Sequence, residues 1–573
     1  MRTMIDRRQM MAAMASLPVV GGLAGTGPVT VFEARRFITM EPSLPSARFV
    51  AVAGGIIVGL ADTLEALAPW TRGRETRLDR RFADRIVMPG LIDPHVHPMQ
   101  SAVMLNIPFL APDDWQLPGG SYSGVRTAAG YRERLAALIA GSSDTPFICW
   151  GYHELFHGPL DRQALDAIAP DRPVVVWQRS FHDIFVNSAM LDAWGLTDQS
   201  RFAAALGSAD TAHADHGRGW FSETALPAAI ALLRPHIMAP ARIGAGMAQL
   251  RQILTSVGVT TVSDMGTGIF AGFDAEAQLI RNAFERDDAA ARVMLMPLAL
   301  ELAGTADAGA WYGSASTRYA ARHVRMDRRV KMLADGAFFA QNMRMNAPGY
   351  ADGHIGKWIT EPDVLAAQIE RFRAADFDLH IHVNGDEGLD VVLDALARAP
   401  QRTGLTVTLE HLGYSTEAQN RRIAAMGLMV SAQPNYIRVL GDVYASNGLG
   451  PDRAATINRL GSLERKGVPL GLHSDFNMAP IDPLYLAWVA ANRITLDGNQ
   501  LAPAERLSRD KALRAITIEA AQVIGMDALV GSIAAGKKAD FAVLDRDPLA
   551  VDIAALRDVR VTSVVYEGRV IEA

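Results

Sequence analysis

Eight short apolar stretches rich in β-branched residues recur along the chain, and most of them end in a side chain able to bind a metal or a proton. The first, Met88-Pro89-Gly90-Leu91-Ile92-Asp93-Pro94-His95-Val96-His97, closes on two histidines. The others run from Gly258 to Asp264, Ala291 to Pro297, Val330 to Asp335, Leu379 to Val383, Leu405 to His411, Leu428 to Gln433 and Leu470 to Asp475. Short runs that stay apolar at consecutive positions predict strands buried on both faces. Between most of them lie segments such as Pro362 to Ala375 and Gly388 to Ala399, with Ala, Leu and Arg at helical spacing. Strand and helix therefore alternate as in parallel βα units. Eight such units predict an α/β protein built on a closed (β/α)8 TIM barrel, a fold in which catalytic groups collect at the C-terminal strand ends. His95, His97, Lys331, His382, His411 and Asp475 fall at those ends.

Alternation along a strand turns His95 and His97 to the same face, where two neutral imidazoles can grip one cation. In a chain with 14 histidines such a pair also arises by chance, so the repeated pattern of strand ends carries the reading. A rival motif, His153-Glu154-Leu155-Phe156-His157, matches the His-Glu-x-x-His pattern of zinc peptidases, which requires a helix to put both histidines on one face. Gly158-Pro159 follows at once and leaves scarcely one helical turn.

Taken jointly, Pro89 to His97, Val330 to Gly336, His382-Val383-Asn384-Gly385-Asp386, Glu410-His411 and His473-Ser474-Asp475 resemble the metal-dependent amidohydrolase superfamily. The likeness is to its branch of N-substituted formamide deformylase-like proteins. Arg172 to Val176, His182, Asn187-Ser188-Ala189 and Gly531 to Phe541 fit the same branch, so the resemblance covers nearly all of the chain after about residue 28. It implies that His95, His97 and Asp475 hold one divalent cation while His382 and His411 hold a second, zinc being suited to such nitrogen and oxygen donors. An ammonium on Lys331 beside cations would be repelled, and desolvation also favours its neutral amine. The resemblance implies that carbon dioxide caps that amine as a bridging carbamate. The expected reaction is hydrolysis of a C–N bond in an amide, formamide or cyclic amide, with Asp475 as general base and then general acid. His182 and Asp335 are candidate substrate contacts; Asp335 and Asp386 also read as acceptors for ligand imidazoles. His380, His473 and Asp264 read as supporting residues, and Trp150, Tyr152 and Phe338 as the lining of an apolar pocket. The competing functions are the zinc peptidase and a catalytically silent binding protein; the presence of all six expected ligands argues against the latter.

Length and composition add boundaries. At 573 residues the chain exceeds one core, so appended pieces are expected. Residues 1–27, with Arg7-Arg8 before a weakly apolar segment, read as a twin-arginine export signal or a disordered leader. The first alternative places the mature protein in the periplasm, the second in the cytoplasm. Residues 28–85 with 528–573 are expected to form a small β-sandwich from both chain ends, with Val29 to Phe37, Phe49 to Leu60, Asp540 to Leu544 and Val559 to Ile571 read as its strands. Residues 86–527 then form the barrel, with an inserted cap at about 99–240 and a second insertion, Phe338 to Trp358, folding over the site. A net charge of −6 with no basic stripe excludes nucleic acid and anionic membranes as partners, and no apolar run after the leader reaches the ~20 residues of a membrane span. The single cysteine, Cys149, leaves His and carboxylate as the ligand chemistry. A small-molecule substrate is the expected partner, with a homo-oligomer left open.

Overall fold

A computed structural model describes residues 27–572 apart from 119, 208–210 and 401. The export-signal reading of residues 1–27 falls almost wholly outside the described residues. Each of the eight apolar runs contains a strand: β1 (Leu91–Val96), β2 (Val259–Thr267), β3 (Arg292–Pro297), β4 (Arg329–Leu333), β5 (Asp378–Val383), β6 (Val407–His411), β7 (Met429–Ala432) and β8 (Leu470–Leu472). Nearly every residue in them is buried, which is why no alternation of polar and apolar positions is visible.

All neighbouring pairs among these strands are parallel, and they form two arcs, β1 to β3 with the short strand Val324–Arg325, and β4 to β8. Single parallel bridges, Leu298 to Lys331 and Val96 to Phe476, touch across the two seams. A closed barrel was expected; among the described residues continuous hydrogen-bonded closure is not found. Helices Pro362–Ala374 and Asp386–Arg398 connect β4, β5 and β6 within a residue or two of the expected limits. Gly90 at the entrance to β1 permits close packing, because a Cβ there would lie 2.2 Å from Oγ1 of Thr260.

The chain ends meet in one seven-stranded sheet, in the order Arg569–Glu572, Val561–Tyr566, Phe541–Leu544, Thr76–Pro89, Val29–Ile38, Ser46–Ala53 and Ile56–Ala61. Strands from both chain ends thus share one hydrogen-bonded sheet. The stretch Phe49 to Leu60, read as one strand, is a hairpin turning at Gly54-Gly55, both with positive φ. Val559 to Ile571 likewise turns, at Glu567-Gly568. Phe32, Phe37, Phe82 and Phe541 fill the inner face of this sheet. The Arg292–Asp540 ion pair, 2.5 Å long and buried, fastens it to β3.

The long segment between β1 and β2 carries its own five-stranded sheet, in the order Ala214–Asp215, Trp220–Ser222, Asp183–Val186, Val174–Gln178 and Phe147–Tyr152. It is fastened to the loop after β8 by Arg179, whose guanidinium pairs with Asp113, donates to the Met478 carbonyl oxygen at 3.0 Å and lies against Trp115 and Phe339. Trp150, Tyr152 and Phe338, expected to line a pocket, are instead buried core, Phe338 lying between the rings of Tyr436 and Tyr444. Among the described residues no helix is long and apolar enough to cross a membrane.

Candidate metal centre

The C-terminal ends of β1, β6 and β8 deliver imidazoles and a carboxylate to one point. One ligand atom each from His95, His97 and Asp475 lies within 4.8 Å of the others, and the same holds for His95, His411 and His473. Asp475 Oδ1 sits 3.2 Å from His97 Nε2 and 3.7 Å from His95 Nε2, and its Oδ2 is 3.7 Å from His411 Nδ1. The backbone is strained where these groups project: His411, Leu412 and Asp475 all adopt positive φ, at 72°, 46° and 49°. Such conformations cost on the order of 1 kcal/mol or more for a residue with a Cβ, and they persist where surrounding structure holds a functional geometry.

Protonation follows from the partners. Glu410, fully buried on β6, lies 2.7 Å from His95 Nδ1 and 2.6 Å from His380 Nδ1. Burial opposes its charge, but His380 and Lys331 outweigh burial and hold the carboxyl below its usual range, so Glu410 is an anion accepting both N–H groups. Burial, with help from Lys331, pushes His95 well below the ordinary imidazole range, so the ring is neutral. A neutral ring that donates through Nδ1 carries its lone pair on Nε2, the nitrogen that faces Asp475. His380 has no such free nitrogen, since Arg329 approaches its Nε2 at 3.3 Å while its Nδ1 donates to Glu410. It is a supporting residue, in keeping with its sequence reading.

Lys331, expected at a strand end, lies at the middle of β4; it is buried, and its Nζ has no hydrogen-bond partner among the described residues. Burial pulls its pKa down to about 8 against the pull of Glu410 and Asp475. Its charge acts on His95, His382 and His411, each of which burial holds well below the usual range. Asp475 is an anion despite burial, because His97, which donates to it, together with His473 and Lys331 holds its carboxyl down. His382, at the end of β5, lies beside this cluster with its ring centroid 4.5 Å from that of His411. His97 Nδ1 is a second buried atom without a partner. Buried imidazoles, a carboxylate and an orphaned amine aimed at one another are a donor set that fits divalent cations.

Two sequence expectations are corrected. Asp335 does not face the cluster as a substrate contact: its oxygens accept main-chain N–H bonds from Asn384, Gly385 and Arg344 at 2.8, 2.8 and 2.9 Å. It braces the loop after β5 against the insertion after β4, and burial raises its pKa to about 7. The His153–His157 peptidase motif also fails. The helix there spans only Glu154–His157, His157 accepts the His153 main-chain N–H at Nδ1 and meets the Val125 carbonyl through Nε2, and among the described residues neither histidine belongs to a candidate ligand group. With both ring nitrogens committed, His157 has no lone pair for zinc.

His182 brings an imidazole from the inserted segment to the side of His382. Its Nδ1 lies 2.8 Å from Glu223, the side chain is 24% exposed, and its ring centroid is 6.3 Å from that of His382. Burial opposes its charge, yet the Glu223 carboxylate holds its pKa above the ordinary value.

Three residues around the cluster, Glu410, Asp93 and Glu223, were assigned no role from sequence, and a fourth, His473, only a supporting one. Glu410 precedes His411 in a buried strand, and an acid inside an apolar run is a legible signal. Asp93 accepts the main-chain N–H groups of His95 and Ser474, tying β1 to β8. His473 was read as supporting, but its ring lies 4.4 Å from that of His95, and its Nε2 is 3.2 Å from His411 Nδ1. Glu223 comes from a segment with no motif.

Residues 83–572 match the model of the amidohydrolase family. The chain belongs to that family. This amidohydrolase is 25% identical over 570 residues to N-substituted formamide deformylase of Arthrobacter pascens, covering 92% of this chain and 96% of the relative. It is 24% identical over 551 residues to the protein LONG AFTER FAR-RED 3 of Arabidopsis thaliana, covering 90% and 88% of the two chains. Its fold is that of a metal-dependent hydrolase from Pyrococcus horikoshii OT3, at a TM-score of 0.68 and 20% identity over 92% of this chain and 99% of the other. The amidohydrolase is therefore an enzyme acting on C–N bonds.

Proposed function

We propose that the enzyme hydrolyses the C–N bond of a small amide, formamide or cyclic amide at a centre of one or two divalent cations, zinc foremost. The two parallel arcs are read as halves of one (β/α)8 barrel, with the cluster at its C-terminal mouth under the inserted cap. The observation that carries the reading is the convergence of His95, His97 and Asp475, whose ligand atoms meet within 4.8 Å although β1 and β8 lie at opposite ends of the barrel sequence. The relative that acts on N-substituted formamides supports the bond type.

His95, His97 and Asp475 would hold one cation and His382 and His411 a second. Lys331 would bridge them as a carbamate. Its neutral amine would add to the carbon of carbon dioxide: a C–N bond forms, one C–O π bond breaks with its electron pair passing to oxygen, and the amine proton leaves to solvent, so the neutral amine becomes an anionic carbamate. A divalent cation bound there supplies Lewis acidity toward the scissile carbonyl and lowers the pKa of water. Asp475 receives the proton of the attacking water and returns it to the departing nitrogen, so that the amine leaves neutral. Glu410 holds His95 with its lone pair toward the cation throughout.

The test is metal analysis of the purified enzyme together with hydrolysis of a panel of formamides, N-acyl amino acids and cyclic amides, before and after chelation. Bound metal at about one or two equivalents, with amide hydrolysis lost on chelation and restored by zinc, is expected. A metal-free protein that remains inert after zinc and bicarbonate are added would overturn the proposal in favour of a silent binding protein. Esters and lactones belong in the same panel, because the nucleophile serves them too. Fractionation of cells expressing the full chain tests the proposed periplasmic export, which a wholly cytoplasmic protein would refute.

A further inference from the structure

The inserted segment contributes a charged group that the metal chemistry does not require. His182 lies on the loop between the cap strands Val174–Gln178 and Asp183–Val186, and Glu223 follows the strand Trp220–Ser222. Glu223 is buried and strained, with φ of 40°, and its main-chain N–H donates to the His182 carbonyl oxygen at 3.2 Å. One of its carboxylate oxygens lies 2.8 Å from His182 Nδ1, and the other accepts an N–H of Asn342 at 2.8 Å. Asn342 comes from the insertion after β4, so a single carboxylate joins the two segments that fold over the site and fixes the His182 ring from behind. No hydrogen bond from His182 Nε2 is found among the described residues.

We infer that His182 is a catalytic residue of this enzyme, donating its Nε2–H to the oxygen of the scissile carbonyl as negative charge develops on it. The inference rests on the proposed function, because it takes His382 as a ligand of the reacting centre. Spacing decides the assignment. A ring-to-ring separation of 6.3 Å leaves room for little more than one layer of atoms between His182 and His382. A hydrogen bond takes about 2.9 Å and a metal–imidazole contact about 2.1 Å, so a carbonyl oxygen held beside His382 falls within the reach of the His182 ring. With Nδ1–H held by an anion, the ring presents a donor at Nε2 and is oriented before substrate arrives, the arrangement in which such a donor is worth most. Glu223 acts through His182 and is a positioning residue.

The test compares wild type with His182→Ala and His182→Gln, the latter keeping a neutral N–H donor, using zinc-loaded protein of verified metal content and circular dichroism. Binding of methylphosphonate, a tetrahedral oxyanion, is titrated calorimetrically, and kcat and KM are measured on whichever amide of the panel turns over. Expected are roughly 10-fold to 100-fold weaker methylphosphonate binding in H182A, a kcat lower by about 10²–10³ with KM little changed, and partial recovery of both in H182Q. Glu223→Gln, which keeps a hydrogen-bond partner but not the charge, should lower kcat more than KM. Methylphosphonate that fails to bind wild type, or binds H182A equally well, overturns the inference; so does a loss confined to KM. If no amide turns over in wild type the proposed function fails, while the binding comparison still decides the role of His182.

Discussion

Replacing Glu410 with glutamine changes one atom in the fully buried base of the site and isolates what its charge does. The carboxylate accepts from His95 and His380 at 2.7 and 2.6 Å, the lengths of charge-assisted bonds. An amide can accept on one side only and must donate on the other. It cannot readily donate toward His380: that ring would have to move its proton to Nε2, where the Arg329 guanidinium already approaches at 3.3 Å. The NH2 therefore turns to His95, whose Nδ1 becomes an acceptor and whose proton moves to Nε2. That is the nitrogen 3.7 Å from Asp475, and a protonated nitrogen has no lone pair for a cation. Loss of a group that orients a ligand histidine typically costs 10-fold to 100-fold in metal affinity, about 1.4 to 2.7 kcal/mol. Zinc affinity of E410Q, measured by competition against a chromophoric chelator with near-ultraviolet circular dichroism as the folding control, should fall by that factor. A folded E410Q that binds zinc within twofold of wild type would refute the tautomer argument.

The remaining predictions concern the amine and the scaffold. Because burial lowers the Lys331 pKa to about 8, its neutral fraction should rise from about one tenth at pH 7 to about nine tenths at pH 9. Uptake of ¹³C-bicarbonate by metal-free protein, followed by NMR of the carbamate carbon, should rise with pH over that range and vanish in K331A; uptake that is flat with pH counts against the assignment. Arg179→Met should destabilise the fold by about 3–5 kcal/mol in urea, since it leaves buried Asp113 without its cation, and adding Asp113→Leu should restore part of the loss. An undiminished R179M midpoint would show the pair to be dispensable. Gly385→Ala would put a Cβ 1.9 Å from the Arg344 carbonyl oxygen, a main-chain atom that cannot rotate away. A loss of about 1–3 kcal/mol or more is expected from thermal unfolding, and an unchanged midpoint would mean that the insertion after β4 shifts freely.

The strands were legible because each is buried on both faces and so reads as an unbroken apolar run; the candidate ligands were legible because most such runs end in a metal-binding or ionisable side chain. His95, His97, His411 and Asp475 follow from that rule, and the structure brings them together. Short hairpins were not legible. Phe49 to Leu60 reads as one apolar strand because a Gly-Gly turn adds no polar punctuation, and only the fold shows the chain reversing there. Asp335 misled for a related reason. It lies two residues beyond strand β4, as a site residue would, but its carboxylate turns to three main-chain N–H groups instead of the mouth.

Sequence alone determined the order of the barrel-type strands and the helices between them, the candidate ligand side chains and the exclusion of cysteine chemistry, since these depend on local periodicity and residue type. Tertiary structure decided which nitrogen of each imidazole is free, because that depends on neighbours such as Glu410 and Arg329 that approach from other strands. It also decided that the His153–His157 motif is structural and that His182 lies beside His382 with its Nδ1 held by Glu223. Periodicity is a property of neighbours along the chain, whereas protonation and coordination are set by neighbours in space, and here these lie tens to hundreds of residues apart.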